Sequence, residues 1–199
     1  MRSSVNIIVI DDFYQNPDAV REFALRQEFK VRGNYPGQRT ESFLNDGLKD
    51  SISKILEPHA GKVTYWGDNG SGVNYTGAFQ YVTSLDRSWI HSDGTTKWAG
   101  VCYLTPDAPI TAGTGLFRHK ATGLRGWNYG QHTKEETDNN PANKETQDYT
   151  KWEMTDMVGN IYNRLVLYRG DMYHVSLDYF GTDKYDGRLF QTFFIDTEK

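Results

Sequence analysis

Trp98-Ala99-Gly100-Val101-Cys102-Tyr103-Leu104, followed by the turn-forming Thr105-Pro106-Asp107, decides how the rest of the chain is read. It is an apolar run of strand length with aromatic and β-branched members, too short for a buried helix. Runs of the same kind recur at Lys62 to Trp66, Gly77 to Thr83, Trp89 to Ser92, Gly115 to His119, Asn163 to Tyr168 and Arg188 to Ile195, separated by Gly, Asn, Asp and Thr clusters. That rhythm predicts an all-β sandwich or barrel. Before Gly61 the texture differs. Asn6 to Phe13 reads as a β-branched buried strand. Asn16 and Pro17 then start a helix, with Val20, Phe23, Ala24 and the later Phe29 at near-helical spacing. A second helix is predicted from Asn45 or Asp46 to about Leu56, with Leu48, Ile52, Ile55 and Leu56 on one face and Pro58 ending it.

The expectation is therefore one domain over residues 1–199, mainly β with flanking N-terminal helices. An insert at about 121–162 interrupts the rhythm. It is rich in Asn, Thr, Lys and Glu, yet Trp127, Tyr129, Tyr149 and Trp152 argue against plain disorder.

Composition narrows the function classes. A chain of 199 residues can bury roughly 70% of its extended surface. The hydrophobic fraction is 37% and the mean hydropathy -0.70, so the 14% of aromatic residues must supply much of the core. Lys and Arg total 22 against 26 Asp and Glu, a net charge of -4, which disfavours a phosphate-tracking nucleic-acid binder. The single cysteine, Cys102, excludes an internal disulfide and Cys-rich zinc sites. Val5 to Ile10, broken by Asn6 and stopped by Asp11-Asp12, is too short for a signal peptide or a bilayer span. A cytoplasmic protein with no membrane association is expected.

The residues that suggest chemistry are His91-Ser92-Asp93, His174 in Gly170-Asp171-Met172-Tyr173-His174-Val175, and Arg188. In a strand, positions i and i+2 share a face, so His91 and Asp93 would both point into a barrel mouth. Two histidines and one carboxylate on one face are the donor set of a non-heme ferrous site. An H-x-D triplet alone is weak evidence and reads first as a surface histidine capped by a carboxylate; the second histidine near a later strand and the arginine opening the last strand favour the metal.

This combination resembles the Fe(II)/2-oxoglutarate-dependent dioxygenases, particularly the prolyl-4-hydroxylase-like branch, over most of the chain outside about 120–162. The resemblance implies a double-stranded β-helix, or jelly roll. It implies His91, Asp93 and His174 as the catalytic Fe(II) ligands and Arg188 as the receiver of the distal carboxylate of 2-oxoglutarate. Thr192, Tyr103 and Tyr81 would place hydroxyls in the same pocket, and Leu116, in Gly113-Thr-Gly-Leu-Phe, would line it. Arg188, Phe190 and Thr192 share a face by the strand period. Arg188 lies farther beyond His174 than in the family, so Gly181 to Gly187 is expected to be an enlarged turn. The partners implied are 2-oxoglutarate, O2 and a peptide or other small substrate, hydroxylated with release of succinate and CO2.

Two other readings stay open. A cupin-type metal enzyme would use the jelly roll without 2-oxoglutarate and would not need Arg188 with Thr192. A non-catalytic jelly-roll binding module would use the aromatic loop and bind no metal. Residue by residue, Tyr81 and Tyr103 also read as core aromatics, and Arg188 as an ion-pair partner of Asp183 or Asp186. His119 reads as a strand-end surface residue, and Cys102 as a packed small hydrophobe. His59 and His132 fall in loop contexts. The insert reads as a lid or recognition element, or alternatively as a structural flap.

Overall fold

The computed structural model describes residues 5–67 and 75–199. Ten strands run in the order β1 (Ile7–Ile10), β2 (Gln38–Ser42), β3 (Val63–Trp66), β4 (Ala78–Val82), β5 (Trp98–Tyr103), β6 (Thr114–His119), β7 (Trp152–Val158), β8 (Leu165–Arg169), β9 (His174–Ser176) and β10 (Arg188–Thr197). Helices α1 (Pro17–Leu25) and α2 (Asp46–Ala60) precede most of them, and the short α3 (Lys134–Asn139) and α4 (Pro141–Lys144) lie between β6 and β7. The strands pair antiparallel in two sheets. One has the order β1-β8-β5-β10-β4-β2 with β3 also on β10; the other is β7-β6-β9. Neighbours are mostly not consecutive in sequence, the connectivity of the expected jelly roll.

Alternation along the strands sorts the core into layers. Trp98, Cys102 and Leu104 of the β5 run, with Leu165, Leu167, Leu189, Phe193 and Ile195, bury against Ala24 of α1 and Leu48, Ile52, Leu56 and Ala60 of α2. Ala99, Val101 and Tyr103 face the other way, meeting Val82, Val166, Tyr168 and Phe190 between the sheets. A third cluster, Ile90, Phe117, Ala142, Trp152, Tyr173 and Val175, covers the outer face of the small sheet with α4. The Cys102 thiol is fully buried, as expected of a packed hydrophobe, and burial pushes its pKa well up.

Both N-terminal helices begin where the capping residues say. The Asn16 and Asn45 side chains accept from the amides of Ala19 (3.1 Å) and Leu48 (2.9 Å). α2 does not stop at Pro58 but runs on to Ala60, which is buried, so packing outweighs the one hydrogen bond proline removes. It ends at Gly61, whose φ of 75° lies in the left-handed region and whose amide donates to the Glu57 carbonyl.

Three strand expectations need correction. Trp89 to Ser92 forms only a one-pair bridge between His91 and His174. β2 and β7 were not predicted, because neither carries an alternating apolar pattern. β2 reads Gln-Arg-Thr-Glu-Ser, and β7 leaves Met154 and Met157 about half exposed. β7 pairs along the length of β6, so the sheet resumes at Trp152 and the segment outside it spans 120–151. Among the described residues no helix is long and apolar enough to cross a membrane.

Candidate metal centre

His91 and His174 exchange both backbone hydrogen bonds, at 3.0 and 2.7 Å. The chain then leaves the ladder. The Ser92 hydroxyl donates to the Trp127 carbonyl (2.9 Å), and the Asp93 amide donates to the Gly170 carbonyl (2.7 Å). A Cβ on Gly94 would stand 2.5 Å from the Trp127 oxygen, so only glycine lets the segment after β6 pack this closely on the turn. The turn, rather than strand periodicity, brings Asp93 to face both histidines. One donor atom from each of His91, Asp93 and His174 falls within 4.8 Å of the others.

The donor atoms are also in the right state. Each histidine Nδ1 lies 2.9 Å from a carbonyl oxygen two residues earlier, of Trp89 and of Met172. A carbonyl only accepts, so each Nδ1 carries a proton, and in the neutral tautomer Nε2 is the atom that offers a lone pair. Those Nε2 atoms stand 3.7 and 3.3 Å from the Asp93 carboxylate oxygens. Burial and the neighbouring His174 hold the His91 pKa below its ordinary value. Burial pushes Asp93 up, but His174, His91 and Arg39 together outweigh it and hold the carboxyl below the usual range. Both groups are thus kept in the unprotonated form a cation requires.

The triad opens into a cavity of about 610 Å³ between the sheets. Thr114, Tyr168, Phe190 and Thr192 line it from the strands, and Trp89 and Tyr129 from the loops. The Tyr168 ring lies 4.6 Å from that of His174. Arg188 opens β10 with no exposure at all. Its Nε and Nη2 donate to the carbonyls of Ala112 (2.8 Å) and Gly113 (3.3 Å), and its guanidinium lies over the rings of Phe190 and Tyr103. Its Nη1 is buried with no hydrogen-bond partner. Asp183 and Asp186, the alternative partners, instead accept from amides of their own turn.

Tyr103 is buried beside Arg188, its hydroxyl 2.8 Å from that of Thr114. Leu116 is buried and registers opposite His174, behind the triad and not among the cavity-lining residues. Thr192 lines the cavity, but its hydroxyl donates to the Tyr75 carbonyl (2.7 Å). Tyr81 does not belong to the site: it alternates to the helix-facing side of β4 and packs on Phe29, ring centroids 4.9 Å apart. His119 is not a surface residue either. It is fully buried, bonded through Nε2 to Glu145 at 2.7 Å and through Nδ1 to Thr122.

Sequence reasoning missed Arg39, Gln80, Thr114 and Tyr168. Thr114 was findable, two positions from Leu116, which the sequence reading assigns to the pocket.

The fold is a jelly roll whose cavity carries two histidines and one carboxylate as a candidate donor set. The chain belongs to a family of unknown function (DUF6445), whose model matches residues 1–195. No curated protein sequence matches it. Among solved structures it is similar to HygX from Streptomyces hygroscopicus with nickel, 2-oxoglutarate and hygromycin B bound, at 10% identity and a TM-score of 0.60, covering 98% of this chain and 84% of that one. It is similar also to SnoK, a non-heme alpha-ketoglutarate-dependent carbocyclase from nogalamycin biosynthesis (14%, TM-score 0.55, 96% and 79% covered). A third is a prolyl hydroxylase from Trichoplax adhaerens in complex with a hypoxia inducible factor peptide fragment (10%, TM-score 0.52, 96% and 84% covered). At these identities the likeness is one of fold.

Proposed function

We propose that this protein is an Fe(II)- and 2-oxoglutarate-dependent oxygenase that hydroxylates a peptide or other small substrate. The observation that carries the reading is the convergence of His91, Asp93 and His174, each imidazole turned with Nδ1 on a carbonyl and Nε2 toward Asp93, on a cavity behind whose lining ring of Phe190 the incompletely bonded guanidinium of Arg188 is buried. The donor set fits ferrous iron: two neutral imidazoles and a carboxylate on one face leave positions for exogenous ligands. Arg188 fits the far carboxylate of 2-oxoglutarate, since a buried cation bonded only to carbonyls is costly until an anion joins it.

Bound iron and 2-oxoglutarate would supply the oxidising chemistry, coupling loss of CO2 and formation of succinate to insertion of one atom of O2 into a C–H bond. The chain's own residues hold and orient. The backbone carbonyls of Trp89 and Met172 lock the imidazole tautomers, and Arg188 fixes the direction of the keto acid. Tyr168 and Phe190 keep water from the site, and Tyr129 and Trp89 border the mouth. Residues 1–199 serve as one domain of this kind, with the segment at 120–151 contributing a recognition face through Tyr129.

Anaerobic titration tests the reading. Fe(II) with 2-oxoglutarate should give a weak visible charge-transfer band that neither gives alone. Iron binding without the band would favour a cupin-type enzyme, and absence of iron binding a non-catalytic module.

A further inference from the structure

We infer that Arg39 is the anchor for a carboxylate on the primary substrate, which is therefore a monoanionic acid with an apolar or aromatic body. This rests on the oxygenase reading and deepens it. Arg39 lies on β2, is 5% exposed and lines the same cavity as the triad. Register places Arg39, Gln80 and Phe190 in one row across β2, β4 and β10. Two strand spacings of about 4.8 Å therefore separate Arg39 from the strand that carries Arg188. Arg39 lines the cavity, whereas Arg188 lies behind its wall against the ring of the lining residue Phe190, so the two cations are distinct stations.

The Arg39 station is built. Gln80 Oε1 accepts from Nε (2.8 Å) and from Nη2, while Gln80 Nε2 is itself fixed on the Pro36 carbonyl (2.7 Å). The guanidinium lies 3.7 Å from the ring centroid of Tyr35 and 4.6 Å from that of Tyr75. All these partners are neutral, and among the described residues Nη1 makes no hydrogen bond and no carboxylate pairs with the group. Burial pulls its pKa down to about 10, so it is still charged at neutral pH.

Charge decides the ligand. Among the described residues that line the cavity, Asp93 is the one acid and Arg39 the one Arg or Lys. Ferrous iron and Arg188 together balance Asp93 and dianionic 2-oxoglutarate, which leaves the single positive charge of Arg39 in a poorly solvated space. One further negative charge is the complement, and a planar carboxylate matches the free guanidinium edge. Tyr35, Tyr75, Trp89 and Tyr129 give the rest of that ligand an aromatic surround.

The test uses protein loaded with Zn(II), which is diamagnetic, and saturating 2-oxoglutarate. Benzoate, benzamide and phenyl phosphate are titrated while the arginine Nε–H signals are followed by 15N NMR. Benzoate should bind at least tenfold tighter than benzamide and shift the signal that disappears in Arg39→Gln, and Arg39→Gln should lose that tenfold preference. Arg39→Lys, which keeps the charge, should retain part of it. The loss of 2-oxoglutarate affinity should be at least tenfold smaller in Arg39→Gln than in Arg188→Met. Equal affinity for benzoate and benzamide, or no saturable binding, overturns the proposal, and so does tenfold tighter phenyl phosphate. The opposite ranking of the two arginine variants for 2-oxoglutarate would make Arg39 the cosubstrate anchor instead. If wild-type protein binds no 2-oxoglutarate, the oxygenase reading fails separately, and the Arg39 signal still decides the anion site.

Discussion

Asp93 is the anionic member of the triad, and its replacement has the sharpest consequence. Asp93→Ala leaves two neutral imidazoles to hold a divalent cation, so purified protein should lose stoichiometric Fe(II) by metal analysis. The residue sits in a turn at the cavity, with its backbone amide on Gly170, so circular dichroism should match wild type. Iron retained at one equivalent would remove the triad from the proposal. Arg188 tests the other half. Losing a desolvated carboxylate pair typically costs about 2–5 kcal/mol, and tenfold in affinity is about 1.4 kcal/mol. Arg188→Met keeps the bulk of the side chain, so 2-oxoglutarate affinity measured by calorimetry should fall at least tenfold while Fe(II) binding persists. Residues of this kind were legible because their chemistry resides in residue type: few side chains ligate iron or hold a carboxylate. Arg39 was not, because an arginine in a polar run has no sequence mark of burial; only pairing with β4 sinks it. Tyr81 failed for the converse reason. A tyrosine at a family-like spacing says nothing of which face it takes, and that face is set by register with β10.

At the scale of elements, α2 is the main apolar support of the large sheet's outer face. Ile52 and Leu56 are fully buried there. Ile52→Ala should cost about 2–5 kcal/mol, as large-to-small core changes do. Loss of the Asn45 cap in Asn45→Ala should cost about 1 kcal/mol. Urea unfolding separates them, and an Ile52→Ala cost below that of Asn45→Ala would mean that α2 contributes little packing. These elements were readable from the sequence because propensity, caps and burial agree in them. β2 and β7 were unreadable for a physical reason. β2 faces the cavity with Arg39, and β7 is the edge strand of the small sheet with Met154 and Met157 about half exposed, so neither shows alternating apolar residues. The His91 region misled in the opposite sense: Trp89 to Ser92 has a strand's composition, but the bonds of Ser92 to Trp127 and Asp93 to Gly170 draw it out of the ladder after one pair.

Across the whole molecule, the segment between β6 and β7 ties the outer surface to the metal centre. Its two parts differ. No residue of α3 is buried, and beyond its own capping box it is held at Thr137, whose hydroxyl accepts from the Trp127 indole (3.2 Å) and whose carbonyl accepts from Asn143 (3.1 Å). Residues 140–151 are fastened below it: Ala142 is buried, and Asn140 and Asn143 bond the Tyr173 hydroxyl. Thr146 accepts from the Ile90 amide (2.9 Å), and Glu145 meets His119 and the Trp152 indole. Ile90 and Tyr173 are the chain neighbours of His91 and His174. Detaching residues 140–151 would therefore disturb two metal ligands, which makes this part a flap locked to the site and leaves α3 as the mobile edge. Limited proteolysis reads the difference. In the unloaded protein, cleavage should be fast within Lys134–Asn139 and slow within 140–151, where it requires local opening. Anaerobic Fe(II) and 2-oxoglutarate at about 100 times their dissociation constant stabilise the closed form by about 2.7 kcal/mol. Cleavage within 140–151 should then slow by up to about a hundredfold, with the α3 cut unchanged. Equal protection of both stretches would mean that α3 is also held by the loaded site. No protection of 140–151 would mean that the flap opens without disturbing the ligands, and the coupling through Ile90 and Tyr173 would be wrong.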